Sequence, residues 1–122
     1  MRIDSIELYL VENRFFRPWR TAYGADASNC VLITRLISGR HEGWSESSPL
    51  PGPNYSYEYG EGVYNVADRF LSQVIIGREF NSAKELNAAM SVVKGNPFAK
   101  AGIEIAWWTL QADILGVSLS RL

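Results

Sequence analysis

The stretch that most constrains the fold is residues 95–116, which read GNPFAKAGIEIAWWTLQADILG. Asn96 offers a side-chain oxygen as an N-cap, and Pro97 stands where a helix needs no backbone N–H. Gly116 supplies the positive φ that commonly ends a helix. These signals predict a helix of about five turns.

Two apolar faces run along this helix. One recurs at threes and fours, as a buried helical face requires, and comprises Ala99, Gly102, Ile103, Ala106, Trp107, Leu110 and Ile114. The second face lies on another side and comprises Ala101, Ile105, Trp108, Ala112 and Leu115. A helix that is apolar on two sides needs two partners, so we expect this chain to cover one face and a further surface to cover the other.

Composition restricts the class of protein. The 122 residues are 47% hydrophobic and 20% charged, which suits one globular domain with a modest core. The net charge of -1 provides no long-range field to attract nucleic acid or an anionic membrane. Cys30 is the only cysteine and is interpreted as a core residue, and no stretch has the form of a signal peptide or a membrane span. We therefore expect a cytoplasmic protein with neither nucleic-acid nor membrane partners.

Three β-rich segments precede the helix. Residues 2–11 alternate so that Ile6, Leu8 and Leu10 point to one side. Residues 29–38 and 42–47 form two more strands, joined by a short turn at Gly39. Together these segments predict a three-stranded antiparallel β-meander.

Two further helices are predicted between the meander and residues 95–116. Residues 58–77 carry apolar side chains at helical spacing and close at Gly77. Residues 81–94 repeat the pattern, with Asn81 or Ser82 as the N-cap. Because strands come first and helices follow, we predict an α+β fold, in which the meander is followed by a helical layer of about three helices in a single domain.

Two long segments between these elements are rich in aromatic side chains. Residues 12–29 and residues 48–59 are predicted as loops, and their aromatic residues are Phe15, Phe16, Trp19, Tyr23, Tyr55, Tyr57 and Tyr59. So many aromatic residues argue against disorder, and ordered loops of this length are often functional. Each loop either pads the domain's own core or presents its rings to a ligand, and the sequence leaves both alternatives open.

The residues form no recognisable catalytic motif. A G-x-S-x-G elbow, a phosphate-binding glycine loop and an H-E-x-x-H zinc motif are all missing from the sequence. His41 is interpreted as a solvated turn residue, Glu58 as a turn or first-turn charge, and Glu46 as a structural residue. We therefore expect no catalytic residue, metal site or cofactor site in this chain.

Three motifs, in order, resemble one family. G-W-S-E at residues 43–46 follows the meander, P-x-Y-S-x-E at residues 53–58 opens a helix, and G-N-P-F-A-K-A-G-I-E-I-A-W-W occupies residues 95–108. Together they resemble the N-terminal capping domain of the enolase superfamily, mandelate racemase and muconate lactonizing branch, over essentially the whole chain. The family commonly has glycine where Ser45 stands and aspartate where Thr109 stands.

The resemblance implies that the cap and a second domain have different roles. In that family the cap precedes a (β/α) barrel, which this chain lacks, and the barrel's lysine or histidine bases and Mg²⁺ serve the abstraction of a proton α to a carboxylate. The resemblance thus implies that this chain is the cap of an isomerase or lyase, truncated and inactive alone. The full-length enzyme would act on a small carboxylate substrate and use Mg²⁺. Two cap loops shape substrate choice, and by position they resemble residues 17–24 and 49–55. The substrate-binding residues so implied are Trp19, Arg20, Thr21, Tyr23, Gly24, Pro51, Asn54 and Tyr55.

A hypothesis of a different class is a free-standing small-molecule binding or protein-interaction module. A parent reading frame that continues with a K-x-K motif and then spaced Asp, Glu and Asp residues would favour the enzyme. We further expect the second helical face, continued by Val117, Leu119 and Leu122, to pack on the barrel, and the isolated chain to form a homo-oligomer.

Overall fold

A computed structural model describes residues 1–122, and its N-terminal part is one antiparallel sheet. The strands β1 (Ser5–Thr21), β2 (Gly24–Ser38) and β3 (His41–Ser47) lie in the order β1-β2-β3. Gly39 takes a φ of 58° in the turn between β2 and β3, and its N–H donates to Asp4 Oδ2 over 2.6 Å. The predicted meander is confirmed.

The first two strands are much longer than predicted, and residues 12–29 are not an irregular loop. They form a hairpin in which β1 pairs with β2 as far as Thr21 and Gly24, so that Ala22 and Tyr23 make its turn. The register shifts between Arg14 and Trp19, where residues 15–18 of β1 face a single residue of β2. Pro18 lies in this bulge, as expected for a residue without an N–H to give to the ladder.

The helices follow the sheet in the predicted order. A continuous helical segment comprises α1 (Gly60–Val66), a π-helical turn (Ala67–Leu71) and α2 (Ser72–Ile75). After α3 (Ala83–Met90) comes the long α4 (Pro97–Leu115), and a 3₁₀ turn (Leu119–Arg121) ends the chain. Ser82 caps α3, because its side chain accepts a hydrogen bond from Glu85 N over 3.2 Å. The α+β prediction is confirmed.

The core lies between one face of the sheet and the helices. Its fully buried members are Ile3, Leu32, Leu36, Val63, Ala67, Leu71, Ile75, Phe80, Leu86, Met90, Ala99, Ile103, Ala106, Trp107 and Leu110. Leu32, Thr34 and Leu36 alternate along β2 and face the helices, as a half-buried strand requires. Cys30 is a free thiol that is only half-buried, so its assignment to the core was wrong.

Helix α4 packs directly on β3, and side-chain hydroxyls join their backbones. Ser45 Oγ donates to Gly102 O over 2.5 Å, and Ser47 Oγ donates to Phe98 O over 2.9 Å. Thr109 Oγ1 donates to Trp44 O over 2.9 Å. The two positions that depart from the family pattern, Ser45 and Thr109, thus both contribute bonds to this contact.

The two apolar faces of α4 are separated much as predicted. Trp107 is only 3% exposed, whereas Trp108 is 37% exposed on the second face, together with Ile105 and Leu115. Two positions were assigned to the wrong face, since Ala112 is 6% exposed and Ile114 is 37% exposed. A residue near the boundary between two helical faces follows its neighbours' packing, which spacing alone does not determine.

The start of α4 also differs from the prediction. Asn96 adopts a left-handed conformation with φ 57° and ψ 51°, and its side chain makes no capping hydrogen bond. Its Nδ2 donates instead to Lys94 O over 2.8 Å. Pro97 does occupy the first turn, and Gly116 ends the helix at φ 64°, as predicted.

Candidate functional site

A cleft of about 610 Å³ lies where the tip of the β1–β2 hairpin faces the proline-rich loop after β3. The hairpin supplies one wall and the loop supplies the other. Its lining residues are Trp19, Thr21, Tyr23, Asp26, Asn29, Ser48, Pro49, Leu50, Pro51, Gly52, Asn54, Tyr55, Ser56, Glu58 and Phe98. Both aromatic-rich segments singled out in the sequence therefore meet at one concave surface.

Local hydrogen bonds shape the hairpin wall. Thr21 Oγ1 accepts from Tyr23 N over 3.1 Å, which fixes the two-residue turn that carries Tyr23. Trp19 pairs with Asp26 across the hairpin, so both residues stand at the same level of this wall. The ladder thus holds Trp19 on a paired strand and Tyr23 on a tight turn, and neither ring is on a free loop.

The loop wall meets the hairpin wall through an aromatic contact. The rings of Tyr23 and Tyr55 lie edge to face, with their centroids 5.6 Å apart and an interplanar angle of 76°. Such pairs contribute roughly 0.5–1.5 kcal/mol beyond the area that they bury. Tyr55 therefore faces the cleft, whereas Tyr57 is exposed and Tyr59 is half-buried beside Gly62.

Six of the eight sequence-predicted site residues line the cleft: Trp19, Thr21, Tyr23, Pro51, Asn54 and Tyr55. Arg20 and Gly24 lie on the same hairpin tip but do not contribute to the lining. Nine lining residues were not among the predicted site residues. Pro49, Leu50 and Gly52 lie within residues 49–55, whereas six others lie outside both residues 17–24 and residues 49–55, namely Asp26, Asn29, Ser48, Ser56, Glu58 and Phe98. The alternation along β2 could have identified Asp26, once the strand was known to begin at Gly24, before the predicted start at residue 29.

Glu58 is not the turn or first-turn charge that the sequence predicted. It is 5% exposed, and its carboxylate accepts hydrogen bonds from Phe98 N over 3.0 Å and from Ala99 N over 3.3 Å. Glu58 thus caps α4 and not the helix that follows it in the chain. An anion at this end of a helix also interacts favourably with the helix dipole.

A charged cluster on the open face of the sheet lies outside the cleft. Arg35 pairs with Glu7 at 2.9 Å and with Glu42, and it lies 5.1 Å from the ring centroid of Trp44. Tyr9 donates a hydrogen bond to Glu7, and this bond, together with the one from Arg35, lowers the pKa of Glu7. The same bond to Glu7 raises the pKa of Tyr9. The cluster takes one charged residue from each strand, so it ties the three strands together across their exposed face.

His41 has a carboxylate partner, contrary to the sequence interpretation. Its Nδ1 lies 2.9 Å from Asp113 Oδ2, which also accepts from Glu42 N over 3.2 Å. These hydrogen bonds, that from His41 first, lower the pKa of Asp113. The pair connects the β2–β3 turn to the last turn of α4, far along the helix from Phe98, and it is a structural contact.

No group of three or more His, Cys, Asp or Glu side chains in this chain could hold a metal ion. Asp26 and Glu58 are the two carboxylates of the cleft, and the oxygens of Glu58 already accept backbone N–H groups. Mg²⁺ prefers about six oxygen ligands in near-octahedral geometry, so these residues do not fit the ion that the family resemblance implies. None of the helices is long and apolar enough to cross a membrane.

Comparison with known proteins assigns the family. Residues 5–122 match the model for "Mandelate racemase / muconate lactonizing enzyme, N-terminal domain". The chain belongs to this family. The mandelate racemase and muconate lactonizing N-terminal domain therefore accounts for almost every described residue, from the start of β1 to the final 3₁₀ turn.

Individual relatives of this N-terminal domain are longer enzymes. The chain is 33% identical to an o-succinylbenzoate synthase of Bacillus subtilis and 32% identical to a chloromuconate cycloisomerase of Cupriavidus pinatubonensis, with 99% and 100% of the chain covered. It spans about a third of the length of these curated relatives, 33% in both cases. The crystal structure of a muconate lactonizing enzyme from Pseudomonas fluorescens, complexed with muconolactone, superposes with a TM-score of 0.92 at 29% identity over 98% of this chain and 33% of that one.

Proposed function

We propose that this chain is the substrate-capping domain of a mandelate racemase or muconate lactonizing type of isomerase or lyase. In this proposal the chain covers the mouth of a catalytic barrel contributed by the rest of a cytoplasmic enzyme. The eight residues that bind substrate are Trp19, Arg20, Thr21, Tyr23, Gly24, Pro51, Asn54 and Tyr55. The observation that carries the proposal is the cleft, where six of the eight converge between two walls.

The chemistry of the lining supports a role in recognition. Aromatic rings, prolines and amides provide contact area and exclude water from a bound molecule. The charged side chains of the cleft, Asp26 and Glu58, are both acidic and would repel a carboxylate. We therefore propose that the cleft binds the apolar part of a small carboxylate substrate, while the barrel binds its carboxylate.

The proposed reaction is the abstraction of a proton α to that carboxylate, and Mg²⁺ held in the barrel would stabilise the negative charge that this step creates. The residues of this chain supply contact and exclusion of water, and they hold no proton-transferring group against the substrate in this proposal. Cap loops of this kind affect rate and specificity by closing over a site that lies elsewhere.

Two measurements test the proposal. The 122-residue chain alone is expected to show no exchange of the α-proton of N-acyl amino acids with deuterated solvent, and turnover that survives repurification would contradict this. In the longer enzyme, Trp19→Ala and Tyr23→Ala should each change the ratio of kcat/KM between two substrates by roughly 10–200-fold, which corresponds to about 1–3 kcal/mol. Phe16→Ala is the matched control, because Phe16 is a fully exposed aromatic residue of the same hairpin that does not line the cleft. Unchanged substrate ratios in both cleft variants would reject the proposal.

A further inference from the structure

The first turn of α4 depends on a residue that is 40 positions away in sequence. An α-helix leaves its first backbone N–H groups without intrahelical partners, and here Pro97 has no N–H to satisfy. The first intrahelical bond runs from Lys100 N to Asn96 O over 3.2 Å, which leaves the N–H groups of Phe98 and Ala99. Both of these donate to Glu58, so one carboxylate satisfies every free donor of this turn.

Glu58 is itself held at the end of the loop that forms one wall of the cleft. Its N–H donates to Ser56 Oγ over 3.1 Å, and Gly60 N donates to Leu50 O over 3.1 Å, which closes the loop at its base. The wall that carries Tyr55 therefore has two fixed ends. One is the backbone bond to Leu50, and the other is the carboxylate of Glu58 on α4.

Both partners of this contact border the cleft. Glu58 and Phe98 belong to its lining, and Tyr55 stands three residues before Glu58 on the same wall. A displacement of Glu58 would carry the loop with it and separate Tyr55 from Tyr23. We propose that Glu58 is a positioning residue, which sets the width of the cleft by anchoring the proline-rich loop to the N-terminus of α4.

The consequence for substrate selection rests on the proposed function, whereas the positioning itself is a property of the 122-residue chain. The decisive experiment therefore needs no substrate. It measures the nuclear Overhauser effect between the ring protons of Tyr23 and Tyr55, and hydrogen exchange of the Asn54 and Gly60 amides. In the folded protein these amides donate to Gly52 O over 2.9 Å and to Leu50 O over 3.1 Å.

Glu58→Gln is the principal variant, because it preserves the shape of the side chain and turns one of its two acceptors into a donor facing an N–H. We expect the ring-to-ring signal to weaken and both amides to exchange about fivefold faster, the factor that corresponds to a lost helix cap. Glu58→Ala, where it folds, should show a larger change in the same direction.

Ser82→Ala is the matched control. It removes a helix cap from α3 through a single hydrogen bond, at a place that does not touch the cleft. We expect it to lower global stability without changing the Tyr23–Tyr55 signal or the two loop amides. Wild-type signals in Glu58→Gln, or equal changes in Ser82→Ala, would overturn the assignment. A loosened cleft in Glu58→Gln, combined with unchanged substrate ratios in the Trp19 and Tyr23 variants, would retain the positioning role and reject the proposed function.

Discussion

Gly43 marks the closest approach of β3 to α4, and the addition of one methyl group there should separate them. A Cβ at this position would lie 2.1 Å from Ala106 O, 2.3 Å from Leu110 N and 2.5 Å from Leu110 Cβ. Two of these atoms belong to the backbone of α4, so no rotation of a side chain can relieve the overlap. Gly43→Ala must therefore push the helix away from the strand.

The cost can be compared with that of Gly102→Ala on the opposite side of the same contact. A Cβ at Gly102 would lie 3.3 Å from Ser47 Cβ and 3.6 Å from Thr34 Oγ1, which requires only a small adjustment. That substitution also gains the roughly 1 kcal/mol by which alanine exceeds glycine in a helix, so its net effect should be near zero. Gly43→Ala should instead cost about 3 kcal/mol or more, at the upper end of the range for overpacked cores.

Urea unfolding of both variants measures the difference. With an m-value of about 2 kcal/mol/M, a loss of 3 kcal/mol lowers the midpoint by about 1.5 M, whereas the midpoint of Gly102→Ala should stay close to that of the wild type. Near-ultraviolet circular dichroism should change in Gly43→Ala as well, because Trp107 packs on the displaced face. Equal midpoints for the two variants would refute the inference that backbone contact between β3 and α4 limits this interface.

Three further predictions concern other contacts. Trp108→Glu should shift any self-association of the chain towards monomer, as measured by sedimentation over a concentration series. It should lower the free energy of unfolding by less than the roughly 3–5 kcal/mol expected for loss of a core tryptophan. A chain that is monomeric at all concentrations and unfolds on this change would contradict the prediction. The hydrogen bond with His41 lowers the folded pKa of Asp113, so the stabilising effect of this group is present above the ordinary value of 3.8 and is lost as the pH falls through the lower folded value. Asp113→Asn should therefore reduce the acid-induced decrease in melting temperature below pH 3.8, and identical pH profiles for the two proteins would refute this. Gly60→Ala would place a Cβ 2.3 Å from Cys30 Sγ and should therefore destabilise the protein. In a double-mutant cycle, Cys30→Ala should recover part of the stability that Gly60→Ala loses, and strict additivity would show that the two positions do not interact.

Periodicity predicted the elements whose apolar side chains recur regularly along the chain. The meander, the order of the helices and the buried face of α4 all followed from alternation, helical spacing and terminal glycines. The hairpin did not, because residues 12–29 contain a proline, a bulge and small polar residues that are typical of a loop. Their strand structure arises from pairing across the hairpin and not from the local preference of each residue.

The candidate site was predicted in part for a related reason. Residues on the two aromatic segments were found because the family resemblance and the composition point to the same stretches. Glu58 was assigned to its own helix, since local rules place an acidic residue in the nearest first turn. Asn96 was assigned as an N-cap by the same rules. Neither rule can account for a carboxylate that lies 40 residues away in sequence and accepts the N–H groups of Phe98 and Ala99.

The two walls of the cleft, the hairpin and the proline-rich loop, are held in place by contacts with different parts of the molecule. Main-chain pairing within the sheet fixes the hairpin, whereas the bond between Leu50 and Gly60 and the carboxylate of Glu58 fix the loop. Residues 51–55 therefore form a loop segment between two fixed points, and another sequence of the same length could replace it without disturbing the strands. Insertions at the 15–18 bulge would lengthen the hairpin wall alone, so the length of each wall can change separately while Tyr23 and Tyr55 remain the contact between them.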